Sequence, residues 1–217
     1  MKLKILVAAA AILGLLLIWQ LMGSGGRPIN ELDARMEQLR AAGDVEALAA
    51  EAKSSDLPTA RRAVEAMGFV GQKAIKHIRL ALDDPRPQIR QKAATAYARV
   101  AEPKNIAPVT KAAQTDKSPV VRASAITALG RERIYEEMET LLDAMEKDDD
   151  VVVRRRATES VVLLIGRRYP YKPDAPAAQR RQSVAVIRKF WARARESASK
   201  YYDKDRIRRK KLAQESE

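Results

Sequence analysis

One motif returns at nearly constant spacing through the middle of this 217-residue chain. The runs Ile89-Arg90-Gln91-Lys92-Ala93, Val121-Arg122-Ala123-Ser124-Ala125 and Val153-Arg154-Arg155-Arg156-Ala157 share an order: branched apolar residue, Arg, two residues, Ala. Ala63 anchors a more degenerate first copy, and the alanines at 63, 93, 125 and 157 lie 30, 32 and 32 residues apart. Each Arg follows an Asp by six residues, in the pairs Asp84/Arg90, Asp116/Arg122 and Asp148/Arg154. A period of this length means stacked supersecondary units, because one unit cannot bury its own apolar face. Within each period apolar residues recur at three and four, and no sustained alternation of two is present, so each unit is a pair of helices.

The punctuation agrees with that period. Four similar turns separate helical patterns: Ser54-Ser55-Asp56-Leu57-Pro58, Asp83-Asp84-Pro85-Arg86-Pro87, Asp116-Lys117-Ser118-Pro119 and Lys147-Asp148-Asp149-Asp150. Asp or Ser is expected to cap the incoming helix, and Pro is tolerated in its first turn, where the N–H lacks a partner. The small alanine lets neighbouring helices approach, and the large residue after it (Met67, Tyr97, Leu129, Val161) fills the core. First helices supply the other wall through Ile75, Ile78 and Leu82, then Ile106, Val109 and Ala113, then Ile134, Met138, Leu141 and Met145.

The Asp…Pro-x-Val-Arg-x-x-Ala pattern resembles HEAT repeats, particularly the short bacterial kind also found in phycobilisome-lyase-like proteins. The resemblance covers about 44–167. It implies an all-α, right-handed α-solenoid of about four helix pairs. In that family the equivalent Asp and Arg form a ladder between stacked repeats, so it implies a ladder role for Asp84, Arg90, Asp116, Arg122, Asp148 and Arg154. The first copy departs from the pattern, since Arg61 and Arg62 fall off the arginine register. Family members are mostly scaffolds and binding surfaces, with a minority of lyases.

A repeat stack must cap both ends. Leu32, Met36 and Leu39 mark a capping helix in 30–43, with Asn30 as its N-cap, Gly43 ending it and Asp44 capping the next helix. At the other end, 168–200 holds the loop Tyr169-Pro170-Tyr171-Lys172-Pro173-Asp174-Ala175-Pro176. The helix after it carries Val184, Ile187, Trp191, Ala194 and Ala198 on one face, expected to dock on the last repeat.

Residues 1–22 read as a membrane segment. From Ile5 to Met22 only Gln20 is strongly polar, and 18 residues of helix span about 27 Å, close to the hydrocarbon thickness. Lys2 and Lys4 precede it and Trp19 suits the far interface. An uncleaved anchor is expected rather than a cleaved signal peptide, because the run is long and Trp19-Gln20-Leu21-Met22 stands where small residues would be wanted. Residues 23–29 form a flexible linker. The short, lysine-bearing N-tail favours N-inside, with the repeats on the extracytoplasmic side of the inner membrane. Cleavage would leave a secreted or periplasmic protein.

The formal net charge of +13 belongs mainly to one segment. Residues 180–211 hold 13 basic and 3 acidic residues, while 27–179 are close to neutral. Lys189, Arg193 and Lys200 project opposite the Val184/Ile187/Trp191 stripe, and Arg206, Arg208, Arg209, Lys210 and Lys211 form a cluster in a tail, 201–217, expected to be disordered. The plain reading is a solvated tail. The alternatives are a clamp on anionic lipid or wall polymer, and, as a weaker one, nucleic acid.

Nothing in the chain announces chemistry. There is no Cys and one His, so thiolate and multi-histidine metal sites are excluded. His77 has no motif partner, Asp148-Asp149-Asp150 reads as helix capping, and Glu136, Glu137 and Glu139 read as a solvated face. Gly68-Phe69-Val70-Gly71 reads as a helix end, and no phosphate loop, G-x-S-x-G or H-E-x-x-H occurs. The expectation is a non-enzymatic, membrane-anchored scaffold for a protein partner, with no cofactor, no metal and no small-molecule substrate. A lyase-type enzyme is the weaker rival.

Overall fold

A computed structural model describes residues 30–195. The expected membrane segment 1–22, the linker and the basic positions Lys200, Arg206, Arg208, Arg209, Lys210 and Lys211 lie outside the described residues. Among the described residues no helix is long and apolar enough to cross a membrane.

The described residues are helical throughout, with no strand: α1 (Glu31–Ala42), α2 (Val45–Ala52), α3 (Leu57–Val70), α4 (Ile75–Ala81), α5 (Pro87–Val100), α6 (Ala107–Thr115), α7 (Pro119–Arg131), α8 (Met138–Lys147), α9 (Val151–Ile165) and α10 over 177–195. Helices α2/α3, α4/α5, α6/α7 and α8/α9 are the repeat pairs. The second helices α3, α5, α7 and α9 pack on one another in order, and each first helix packs against its own second helix. One apolar core runs the length of the stack. The repeat alanines Ala63, Ala93, Ala125 and Ala157 are fully buried, as are the large residues Met67, Leu129 and Val161, with Tyr97 nearly so. Met36 of α1 closes one end of that core, and Val184, Ile187 and Trp191 of α10 close the other. Ala194 is half-buried, and Ala198 lies outside the described residues.

Capping at the N-terminal end follows the side chains. The Asn30 Oδ1 accepts the Asp33 N–H at 2.8 Å, and Asp44 accepts the Ala47 N–H at 3.0 Å. Between them Gly43 adopts φ 63°, a conformation glycine reaches without Cβ strain.

The repeat turns differ from the expected capping. Asp56 caps α3 and Asp150 caps α9, but the N-caps of α5 and α7 are Arg86 and Ser118, and neither makes a side-chain cap bond. Asp84, Asp116 and Asp148 stand two residues earlier. Each accepts the backbone N–H of the N-cap residue: Arg86 at 2.8 Å, Ser118 at 2.8 Å and Asp150 at 2.9 Å. In the first copy Ser54 takes that place, accepting the Asp56 N–H at 3.1 Å. These are Asx-type and Ser-type turns, which fix the loop before the helix begins. They leave the Asp116 and Asp148 carboxylates able to face the preceding repeat, while Asp84 turns to Arg86 of its own turn.

Candidate functional site

The turn carboxylates meet arginines from the preceding second helix. The Arg90 guanidinium donates to both oxygens of Asp116, at 2.8 and 2.9 Å, while its Nη1 donates to the Asp84 carbonyl of its own turn at 2.9 Å. Arg122 repeats this on both oxygens of Asp148, at 2.8 and 2.9 Å, and on its own Asp116 carbonyl at 2.9 Å. Both pairs are bidentate and nearly enclosed, with Arg90 and Asp116 side chains 8% and 9% exposed. Each guanidinium thus ties two consecutive turns together and sets how one repeat sits on the next.

The two ends of this series differ from its middle. In the first copy the arginine register holds buried Ala60. Arg86, arriving from the next repeat, fills the gap from the other side. It donates to the Ser54 carbonyl at 2.6 Å and the Ala52 carbonyl at 3.1 Å, and pairs with Asp84 at 2.9 Å. Asp84 is therefore held by Arg86 and not by an arginine of the preceding helix. At the last copy Arg154 finds no further turn Asp. It donates to the carbonyls of Asp148, Asp149 and Pro173, tying the loop after α9 to the stack. The Tyr171 hydroxyl bonds the Met145 carbonyl and Arg180 bonds those of Glu146 and Ala175, so the loop before α10 is pinned at several points.

These bonds set the protonation of Asp84 and Asp116. Hydrogen bonding from Arg86 holds the Asp84 carboxyl below the usual carboxylate range, against the opposing effect of burial. Burial pushes the Asp116 carboxyl up, but the Arg90 bonds and the Ser118 N–H outweigh it and keep it low. An acid depressed in the folded chain stabilises it fully above the unfolded value, about 3.9, and less as pH falls through the folded value. Unfolding free energy from urea titrations is expected to hold steady from pH 7 to about 5 and to fall below about pH 4. Asp116→Asn should flatten that fall, and an equally steep fall in the variant would refute the assignment.

Sequence reasoning missed Arg188. It reaches from α10 to three acids of the last first helix, Glu139 at 2.9 Å, Glu146 at 2.7 Å and Asp143. Glu139, read as part of a solvated face, is thereby half of a docking contact. Lys189 and Arg193 of the same helix are exposed. The other singled-out residues behave modestly. His77 lies 3.3 Å from Glu46 of the preceding repeat. Asp150 caps, Asp148 takes Arg122, and among the described residues no group of His, Cys, Asp and Glu is placed to hold a metal ion.

With the repeats fixed in this way, the second helices form a groove of about 560 Å³ along α7. Its walls come from α5 and α9, with Glu65 of α3 at one margin. Thr95, Ser124 and Thr127 line it with hydroxyls; those of Thr95 and Thr127 bond their own helix backbones at Gln91 and Ala123. Val120 and Val152, 56% and 50% exposed, stand at the starts of α7 and α9. Arg99 and Arg131 stand at the ends of α5 and α7, in the same register of consecutive repeats. Arg99 stacks over the exposed Phe69 ring at 4.1 Å. Close helix approach shapes the walls. The Cβ that Gly130 lacks would lie 2.5 Å from Ser160, whose hydroxyl bonds the Ile126 carbonyl, and one added at Gly68 would lie 2.9 Å from the Ala96 Cβ.

Comparison with known proteins bears on the fold. No curated protein matches the chain. Among solved structures it is similar to a chain from the complex of CpcE and CpcF of phycocyanin lyase from Nostoc sp. PCC7120, with 21% identity, a TM-score of 0.49 and coverage of 67% of this chain and 90% of that one. The family model for HEAT repeats matches twice, over residues 45–130 and 75–162, which together run from the start of α2 to within the last turn of α9. With the repeat period and the paired helices already in view, this chain belongs to the HEAT-repeat family.

Proposed function

We propose that this chain is a non-catalytic, membrane-anchored scaffold that holds a protein partner in the groove along α7. The groove carries the reading: it is the place where exposed apolar residues, hydroxyls and cations of three second helices converge on one concavity. Function on such a fold resides in surface detail. The ladder and the packed core make that surface rigid, so a partner meets a preformed site and little ordering cost is added on binding. The apolar run Ile5 to Met22 supports an anchor in the inner membrane, and the short N-tail supports an extracytoplasmic position for the repeats.

The test is a pair of substitutions at exposed positions. Val120→Gln with Val152→Gln should leave the unfolding free energy within about 0.5 kcal/mol, as surface changes do. Chemical crosslinking in membranes from cells expressing the full chain should lose its partner adducts in the double variant. Adducts that persist unchanged would count against the groove. The exposed Lys189 and Arg193 favour a second reading, attraction to anionic lipid through α10. Flotation with vesicles containing phosphatidylglycerol tests it, with loss expected in Lys189→Gln/Arg193→Gln and retention overturning it.

A further inference from the structure

We infer that the groove selects an acidic protein segment with an apolar residue at one end, gripped through Arg99 and Arg131. This rests on the groove being the docking site and adds the chemistry of what enters it. The observation is which cations are free. Lys92 is paired with Glu65 at 2.9 Å and Arg156 with Glu159 at 2.8 Å. Arg131 makes no hydrogen bond or ion pair to a described residue, and Arg99 makes only its contact with the Phe69 ring. Both are exposed, so two guanidinium forks at the same end of the groove are available to carboxylates.

The arrangement also has direction. Val120 and Arg131 are eleven residues apart on α7, about 16 Å at 1.5 Å per residue. An extended chain covers that distance in about five residues. A segment with a leucine or valine against Val120 and Val152 places a glutamate or aspartate about five positions on, at the two arginines. The hydroxyl of Ser124 lies between them as an adaptable partner for its backbone. A uniformly charged phosphate polymer suits this groove less well. Glu65 and Asp150 stand in its walls, and a planar bilayer cannot enter a concave surface between helices.

The experiment uses the full chain in detergent micelles and rhodamine-labelled peptides, read by fluorescence anisotropy. One peptide has two leucines, a four-residue neutral spacer and three glutamates, a second has glutamine for glutamate, and a third reverses the order. The absence of cysteine makes Ser124→Cys a unique attachment point for a photocrosslinker that reports where the peptide lies. The acidic peptide should bind with strong salt dependence. The glutamine peptide, and Arg99→Gln/Arg131→Gln with the acidic peptide, should each bind roughly tenfold more weakly. Crosslinking at residue 124 with equal affinity for acidic and glutamine peptides would overturn the acidic selectivity while leaving the groove as a docking site. Binding of the acidic peptide with no crosslink at 124 and no response to the arginine substitutions would overturn both. Absence of binding by every peptide would overturn the selectivity inferred here.

Discussion

Asp116→Ala is expected to lower the unfolding free energy by about 3–5 kcal/mol, the range seen when one partner of a buried ion pair is removed. Two losses combine at this position. Arg90 is left enclosed without its carboxylate, and the Ser118 N–H loses the acceptor that fixed the turn. The corresponding fall in melting temperature is about 10 °C for a domain of this size. Asp149→Ala, an exposed acid in the next turn, is the matched control and should change stability by less than about 0.5 kcal/mol. Asp116→Asn keeps an acceptor for the Ser118 N–H and for one Arg90 bond, so it should fall between the two. Circular dichroism during urea unfolding measures all three. Equal effects of the two alanine variants would mean that the ladder is a surface ornament.

Gly130→Ala should also destabilise, by about 2–3 kcal/mol, although alanine is the better helix former by about 1 kcal/mol. The added methyl would lie 2.5 Å from the Ser160 Cβ and Oγ and 2.9 Å from its Cα. The last of these is backbone, so α7 and α9 must separate. Separation widens the groove wall, which links this stability effect to docking. Ser160→Gly alone should cost about 1 kcal/mol through loss of the hydrogen bond to the Ile126 carbonyl. Combined with Gly130→Ala it should recover more than half of the glycine variant's loss. Simple additivity of the two changes would contradict the close approach as the cause.

The repeat was legible because it is written in types that local physics fixes. The alanines at 63, 93, 125 and 157 mark the buried register, and all four are fully enclosed. The helix boundaries followed from Asn30, Gly43, Asp44 and Asp56, whose side chains or φ angles set them. Capping was misplaced by two residues at Asp84 and Asp116. An Asp before a Pro-initiated helix satisfies the turn's N–H as readily as a helix end, and the sequence does not distinguish them. Arg86 was missed because its role depends on reach across a repeat, although Ala60 in the arginine register was a signal that something else must satisfy the Ser54 carbonyl. Arg188 was hidden among 13 basic residues in 180–211, and only the folded position of Glu139, Asp143 and Glu146 separates it from them. The groove has no signature in the sequence, because it is made by the stacking of three second helices. Arg99 and Arg131 carry no motif, and their pairing arises from stacking.

The central claim is that the second-helix face holds the partner. A photocrosslinking scan of the full chain in its native membrane tests it most directly, with the photoreactive residue placed singly at 120, 124, 131 and 152 in the groove and at 80, 111 and 139 on the first-helix side. The account predicts a common adduct from the four groove positions and none from the other three. A shared adduct from the first-helix side, with the groove positions silent, would contradict it.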